Sequence, residues 1–246
     1  MHKKLQEILT KKREALKKRK KSSKAFIRAL KNPKKGSIAI IAEIKLASPT
    51  EKFLGKPDDI QRRAREYELA KVDCISIVTE KHFFAGDPKY VKEIKDVVSL
   101  PVLQKDFILD PDQVYEAKNG YADAVLLIAK ILSKEGLIKL VNLAIEIGIE
   151  PVVEINSEDD LKKAQASKTR IIAVNARDLD TFEISIHKAC ELLRIVPTSY
   201  IKLGFSGISQ KSDVEKYKRN GAKAVLIGTS LMKTENIKEF IDRIRV

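Results

Sequence analysis

The chain has 246 residues, of which 43% are apolar and 33% charged, with a formal net charge of +14. No apolar run approaches the roughly 20 residues that span a bilayer, which excludes a membrane-spanning protein. Met1 is followed by a Lys-rich stretch and not by the apolar segment of a secretory signal, so we expect a cytoplasmic protein. Cys74 and Cys190 lie far apart in the sequence, one in a strand-like run and the other in a helix-like one, so we expect neither a disulfide nor a metal site.

The positive charge is concentrated at the amino terminus. Residues 1–36 hold twelve Lys, three Arg and two Glu, a balance of +13, which leaves +1 for residues 37–246. Apolar residues recur among the lysines at roughly helical spacing, namely Leu5, Ile8, Leu9, Leu16, Phe26, Ile27 and Leu30. This pattern favours an amphipathic helix with solvated charges. A basic nucleic-acid-binding module is the minor alternative, because the segment has no aromatic stacking platform and no binding motif.

Short β-branched runs alternate with stretches of helical period from residue 38 onward, as in repeated βα units. Eight runs are predicted as strands: Ser37–Glu43, Cys74–Val78, Val102–Lys105, Ala124–Ile128, Pro151–Glu154, Ile171–Asn175, Tyr200–Leu203 and Ala224–Gly228. The pattern predicts the α/β class, with a single (β/α)8 TIM barrel as one domain over residues 1–246. Residues 1–36 would form an amino-terminal helical extension that caps the barrel.

Polar or small residues follow these runs at their carboxyl ends, which meet on the face of a barrel that carries its chemistry. They are Glu43, Lys45, Thr79, Glu80, Lys105, Asp106, Glu154, Asn175, Ser206, Gly228 and Thr229. Lys45, Lys105 and Glu154 fit an acid/base set, because a Lys can give a proton across the barrel mouth while a Glu accepts one. A solvated rim network is the alternative for any one of them.

A set of segments, in order along essentially the whole chain, carries a family resemblance. The segments are Ile41–Pro49, Ser76–Glu80 with Phe84 and Gly86, Pro101–Phe107, Ala122–Ile128, Val153–Asn156, Val174–Leu179, Ser206–Ile208 and Leu226–Met232. In them the chain resembles indole-3-glycerol phosphate synthases. The resemblance implies ring closure of a carboxyphenylamino deoxyribulose phosphate, with loss of carbon dioxide and water and without metal or organic cofactor. We expect a monomer that binds a small phosphorylated aromatic substrate, with neither nucleic acid nor membrane as a partner.

The resemblance also implies roles for five polar residues at the strand ends. Lys105 would be the general acid and Glu154 the general base. Lys45 would neutralise the anthranilate carboxylate of the substrate. Glu43 and Asn175 would orient the substrate in the site.

A phosphate site is implied at the loops after strands seven and eight. Backbone N–H groups of Ser206, Gly207, Gly228 and Thr229 would bind the phosphate, with help from Ser48. This position also has a physical basis, since barrel enzymes often bind phosphate there, at the start of a short helix. For Gly207 and Gly228, ordinary turn formation is an equal alternative.

Four positions depart from the family pattern. The family usually has Glu-Ser-Gly-Ile after strand seven, whereas this chain has Phe205 before Ser-Gly-Ile. Lys52 replaces a glycine in the loop after strand one, Leu46 stands where a basic residue is common, and Ala173 where glycine is common. These changes predict a more apolar and more crowded barrel mouth.

From these departures we favour a lyase with a refitted active site, reached by divergence or by design. Phe205 would bind a flat aromatic ring, and a carboxylate in an apolar pocket would abstract a proton, as in a Kemp-type elimination of a benzisoxazole. Glu154 is the first candidate for this base and Glu43 the second. Indole-3-glycerol phosphate synthase itself, an enzyme of tryptophan biosynthesis, is the alternative function, and packing in the barrel core is the alternative for Phe205.

Overall fold

A computed structural model describes residue 4, residue 6 and residues 24–246 of the chain. Eight parallel strands close into a barrel in sequence order. They are β1 Ala39–Ile44, β2 Cys74–Val78, β3 Val102–Lys105, β4 Ala124–Ile128, β5 Glu150–Ile155, β6 Ile171–Asn175, β7 Ile201–Phe205 and β8 Ala224–Ile227. The predicted (β/α)8 barrel is confirmed.

Helices connect the strands and cover the outside of the barrel. They are Asp59–Leu69, Lys81–Phe84, Lys89–Lys95, Pro111–Asn119, Lys134–Ile147, Glu158–Ala166, Ile186–Ile195, Lys211–Arg219, Thr229–Lys233 and Ile237–Ile244, with a 3-10 turn at Ala129–Ile131. Ser133, Ser157 and Ser185 begin three of them, because each hydroxyl accepts a hydrogen bond from a first-turn N–H group. In the part of the chain that the structure describes, no helix is long and apolar enough to cross a membrane.

Side chains inside the barrel stack in layers, each built from every second strand. The strand registers put four inner residues of β1, β3, β5 and β7 at one height, Ile41, Leu103, Val152 and Leu203. The next layer towards the carboxyl ends comes from the even strands, and its members are Ser76, Leu126, Ala173 and Leu226. The apolar members form a buried cluster separate from the one between strands and helices. The barrel interior is therefore a packed floor below the strand ends.

The amino-terminal side of the barrel is closed by the residues that precede β1. The chain is helical over 24–31, and Phe26 and Leu30 belong to the same buried cluster as the barrel interior. Ser37 then donates from its backbone N–H and its hydroxyl to the carbonyl of Val246, both at 2.7 Å. The rest of the predicted cap, residues 1–23, lies almost wholly outside the described residues. The single-domain interpretation of residues 1–246 stays a prediction.

Candidate active site

A cavity of about 900 Å³ opens at the carboxyl ends of the strands. All eleven predicted site residues line it: Glu43, Lys45, Ser48, Lys105, Glu154, Asn175, Phe205, Ser206, Gly207, Gly228 and Thr229. They come from six strands or the loops that follow them, so only the closed barrel brings them together. Their individual roles stay predictions.

The floor of the cavity is the third layer of the barrel interior, formed by Glu43, Lys105, Glu154 and Phe205 at the ends of β1, β3, β5 and β7. Within such a layer, Lys105 lies between the two carboxylates and opposite Phe205. Its positive charge favours the ionised form of both Glu43 and Glu154. The layer therefore combines one ammonium group, two carboxylates and one apolar ring.

Glu43 is a buried, ionised carboxylate. Burial alone raises the pKa of Glu43, but Lys45, Lys105 and Arg177 lower it, and the net result is below the ordinary value. The Nζ of Lys45 lies 3.2 Å from Glu43 Oε1. A Cβ at position 228 would lie 2.3 Å from the same oxygen, so Gly228 is required for this close approach. Glu43 is thus suited to binding and orientation more than to proton abstraction.

Glu154 has the opposite electrostatic environment. It is 1% exposed, and burial raises its pKa above the ordinary value despite the opposing effects of Lys105 and Asn175. Its Oε1 accepts a hydrogen bond of 3.0 Å from Asn175 Nδ2, and its Oε2 has no hydrogen-bond partner among the described residues. A carboxylate with a raised pKa and a free oxygen is suited to general-base catalysis near neutral pH.

Asn175 links the base to the loop after β7. Its Oδ1 accepts from Ser206 Oγ at 2.8 Å and from the backbone N–H of Arg177 at 3.0 Å. Because its amide oxygen is held by these two donors, its Nδ2 is directed to Glu154. The predicted orienting residue thus contacts the predicted base.

Two backbone segments form one wall of the cavity. Ser206 and Gly207 both have positive φ angles, 70° and 79°. Gly228 precedes the helix Thr229–Lys233 and has no side chain to cap it, which leaves first-turn N–H groups available at the cavity. The arrangement is suited to an anion. Ser48 also lines the cavity, although its hydroxyl already accepts a hydrogen bond within its own loop at 3.0 Å.

Other residues of the site were not singled out from the sequence. Arg177 lines the cavity after β6 and donates to the carbonyl of Phe182 at 3.1 Å. Phe84 and Phe107 form an aromatic wall with ring centroids 6.2 Å apart. The sequence did contain a signal for these residues, because Arg177, Phe84 and Phe107 all lie in the segments that carry the family resemblance.

Only one of the four departures from the family pattern lies on the cavity. Leu46 is 3% exposed and packs in the cluster between strands and helices, and Lys52 is exposed on its loop. Ala173 is buried in the layer below the floor. The prediction that these three changes crowd the barrel mouth is wrong, because their side chains do not line the cavity. Phe205 alone does.

Residues 1–244 match the family model of indole-3-glycerol phosphate synthase. Curated proteins of that name are similar over most of the chain. The relative from Caldanaerobacter subterraneus is 42% identical over 213 residues, which are 86% of this chain and 83% of the relative. The relative from Endomicrobium trichonymphae is 40% identical over 230 residues, 94% of this chain and 88% of the relative.

Among solved structures, the tryptophan synthase alpha-subunit of Pyrococcus furiosus superposes with a TM-score of 0.66. It is 17% identical and covers 85% of this chain and 98% of that subunit. A D110N variant of the same subunit gives a TM-score of 0.65. At this identity the likeness shows the fold alone.

The hypothesis of a refitted active site with Kemp-type elimination is wrong. It gave one cavity residue, Phe205, more weight than the match of the whole chain to one family and to synthases that are about 40% identical. These matches support the alternative function that the sequence left open. The chain belongs to the indole-3-glycerol phosphate synthase family.

Proposed function

We propose that the protein is an indole-3-glycerol phosphate synthase, a lyase of tryptophan biosynthesis that converts 1-(2-carboxyphenylamino)-1-deoxyribulose 5-phosphate. The observation that carries this proposal is the floor of the cavity, where Lys105 and the buried Glu154 lie in one layer of a chain with synthases as relatives. The substrate is a small phosphorylated aromatic molecule. A cytoplasmic location and a monomeric state stay predictions.

The reaction needs one group that gives protons and another that accepts them. When the aryl carbon attacks the ketone of the sugar chain, the ketone oxygen gains a proton, and we assign Lys105 as its donor. Loss of carbon dioxide restores the aromatic ring. Lys105, which regains a proton from solvent, then protonates the hydroxyl group so that it leaves as water, and Glu154 accepts the proton that is released when the indole double bond forms. The raised pKa and the free oxygen of Glu154 support this role.

Binding would use the charged and backbone groups around this floor. Lys45 would neutralise the anthranilate carboxylate, while Glu43 holds Lys45 in place at 3.2 Å. The N–H groups of the loop after β7 and of the Gly228–Thr229 segment would bind the phosphate. The wall of Phe84 and Phe107 would contact the aromatic ring.

Steady-state turnover of the carboxyphenylamino deoxyribulose phosphate tests the proposal. We expect turnover by the wild type and its loss in Glu154→Gln. Glu150→Gln is the matched control, because Glu150 is a second buried glutamate of β5 that does not line the cavity. Absence of turnover by the folded wild type would overturn the proposed function, and equal turnover by the Glu154→Gln variant would overturn the assignment of the base.

The same assay decides the role of Phe205. Phe205 lines the cavity but is only 1% exposed and belongs to the buried cluster inside the barrel, so we expect Phe205→Glu to lose stability, and its turnover is measured on protein that circular dichroism shows to be folded. A large gain of turnover in this variant would mean that Phe205 limits the reaction. A loss of turnover would mean that the site needs the two carboxylates of Glu43 and Glu154 and is impaired by a third carboxylate in the same layer.

The phosphate site has its own test that does not need turnover. Inorganic phosphate should raise the melting temperature, since a ligand at ten times its dissociation constant adds about 1.4 kcal/mol of stability. Sodium chloride at matched ionic strength is the control. No difference between the two salts would contradict an anion site.

A further inference from the structure

Ser206 occupies an uncommon backbone conformation at a critical point of the site. Its φ of 70° lies in the left-handed region, which is costly for a residue other than glycine. Its hydroxyl donates to Asn175, which donates to Glu154. The orientation of the base therefore depends on the backbone at Ser206, and some contact must hold that backbone in place.

Tyr217 supplies this contact from behind β7. The residue is fully buried on the helix Lys211–Arg219, and its hydroxyl lies 2.9 Å from the carbonyl oxygens of both Phe205 and Ser206. Burial raises the pKa of Tyr217 far above its ordinary value, so the hydroxyl remains a donor. The two carbonyls lie one on each side of the left-handed residue, in the peptides that precede and follow Ser206.

Gly204 makes room for the tyrosine ring. A Cβ at this position would lie 2.2 Å from Cδ1 of Tyr217, a distance that no side chain can adopt. The ring therefore lies flat against the β7 backbone because position 204 has no side chain. Gly204 and Tyr217 act as a pair, one on the strand and one on the helix that follows it.

We propose that Tyr217 is a positioning residue that sets the hydrogen bond of the catalytic base through Ser206 and Asn175. This inference rests on the proposed function only in calling Glu154 the base. The hydroxyl fixes the carbonyls at the end of β7, the fixed backbone directs Ser206 Oγ to Asn175, and Asn175 directs its Nδ2 to Glu154.

Other charges around Glu154 are independent of Tyr217. The two strands that pair with β5, β4 and β6, contribute the uncharged Ile128 and Asn175 to the cavity, and β7 contributes the uncharged Phe205. The titratable or charged groups that face Glu154 from the other elements are Lys105 on β3, Glu43 and Lys45 at the end of β1, Arg177 after β6 and Asp160 on the helix after β5. None of them contacts the Tyr217 hydroxyl, so removing that hydroxyl leaves these charges unchanged.

The test is a direct titration of the Glu154 carboxyl by carbon NMR in the full-length protein. Tyr217→Phe keeps the ring against Gly204 and removes the hydroxyl. Ser206→Ala removes the hydroxyl group that donates to Asn175. We expect both variants to raise the pKa of Glu154, because a carboxylate that loses a donor is less stable in its charged form. The double variant should show no further rise. Tyr90→Phe, a buried tyrosine on a different helix, should leave the titration unchanged.

Kinetics supply a second readout. In Tyr217→Phe we expect kcat to fall about tenfold, with the acid limb of its pH profile displaced to higher pH and KM nearly constant. A purely structural role would lower the melting temperature without moving that limb, and this result would overturn the inference. If Tyr217→Phe does not fold, Ser206→Ala decides alone, and an unchanged Glu154 titration overturns the inference.

The two proposals fail separately. A wild type that shows no synthase turnover, while its Glu154 titration still responds to Tyr217→Phe, would remove the proposed function and keep the positioning role. Normal synthase turnover by the wild type, with a Glu154 titration that does not respond to Tyr217→Phe, would keep the proposed function and remove the positioning role.

Discussion

Buried carboxylates occur at both ends of the barrel, but they are satisfied differently. At the amino end, both oxygens of Asp73 accept backbone hydrogen bonds, from Lys34 at 2.6 Å and from Ile40 at 2.8 Å. At the carboxyl end, Glu154 has one donor, Asn175, and a second oxygen without a partner in the described part of the chain. The carboxylate of Asp73 therefore stabilises the backbone at the amino end, whereas the carboxylate of Glu154 keeps one oxygen available to the cavity.

A second buried aspartate at the amino end is also paired, with one backbone donor and one lysine at the same oxygen. Asp123 accepts from the backbone N–H of Val102 at 2.9 Å and from Lys95 at 2.8 Å. Glu150 is a partial exception, since it pairs with Arg170 at 2.7 Å but one of its oxygens has no partner among the described residues. Breaking a well-paired buried charge is costly, whereas replacing a poorly paired one can stabilise a protein. We therefore expect substitutions at the amino end to lower stability and to keep activity. Substitutions at the carboxyl end should lower activity with little loss of stability.

The largest expected effect is on activity at the carboxyl end. Lys105→Met should lower kcat about a thousandfold, because methionine fills similar space but has no proton to give. The free energy of unfolding should change little. Steady-state kinetics and urea unfolding on the same preparation measure both quantities. Lys95→Met is the control, and it should lose stability without losing kcat. A variant at position 105 with wild-type kcat would contradict the assigned acid.

The next effect is on stability at the amino end. Asp73→Ala should lower the free energy of unfolding by about 3 kcal/mol, because the buried N–H group of Ile40 and the partly buried N–H group of Lys34 lose their acceptor. Activity per folded molecule should remain, since the residue lies far from the cavity. Urea unfolding measures the loss, and Asp59→Ala, a partly exposed position at the start of the helix Asp59–Leu69, is the control. Equal losses of unfolding free energy in Asp73→Ala and Asp59→Ala would show that the burial of Asp73 adds nothing to stability.

Gly228→Ala should damage the site through a contact and not through charge. The added Cβ would lie 2.3 Å from Glu43 Oε1, so Glu43 and its partner Lys45 must move. We expect kcat/KM to fall about thirtyfold, or roughly 2 kcal/mol. Gly136→Ala, in an outer helix, should leave kcat/KM unchanged. Wild-type kcat/KM in Gly228→Ala would show that the Glu43 position does not matter for catalysis.

The smallest effect is a gain of stability in Glu154→Gln. The pKa of Glu154 is raised in the folded state, so the wild type loses stability as the pH rises from the unfolded value through the folded value. Glutamine removes this loss, and the gain should be about 1 kcal/mol at neutral pH. It should vanish below the ordinary glutamate pKa of about 4.3. Urea unfolding across this pH range measures it, and a gain that persists at low pH would contradict the electrostatic cause.

Much of the fold could be predicted because buried parallel strands are continuous apolar runs. The bounds of β2, β3, β4 and β6 agree with the prediction. β1 begins two residues later than predicted, because Ser37 binds the carbonyl of Val246 in place of a strand neighbour. β7 extends two residues beyond the predicted end at Leu203. Gly204 continues the strand, and its missing side chain gives room to the Tyr217 ring.

The site was predicted as a set of residues but not as a network. Strand ends gave Lys105, Glu154 and Asn175, since periodicity and barrel topology bring them to one face. The contact of Tyr217 with the end of β7 could not be predicted, because it depends on how the following helix packs against the strand. Phe205 was misleading for a related reason. A single unusual side chain does not define a reaction that depends on the geometry of several groups.

The layered floor of the cavity also bears on the order of assembly. Its four members come from β1, β3, β5 and β7, and Gly228 after β8 closes the ring against Glu43. A chain that has formed seven strands but has not yet paired β8 with β1 contains every reactive group and still lacks the site. Recovery of activity during refolding therefore marks the closure of the barrel, whereas recovery of helical signal marks only the formation of its parts.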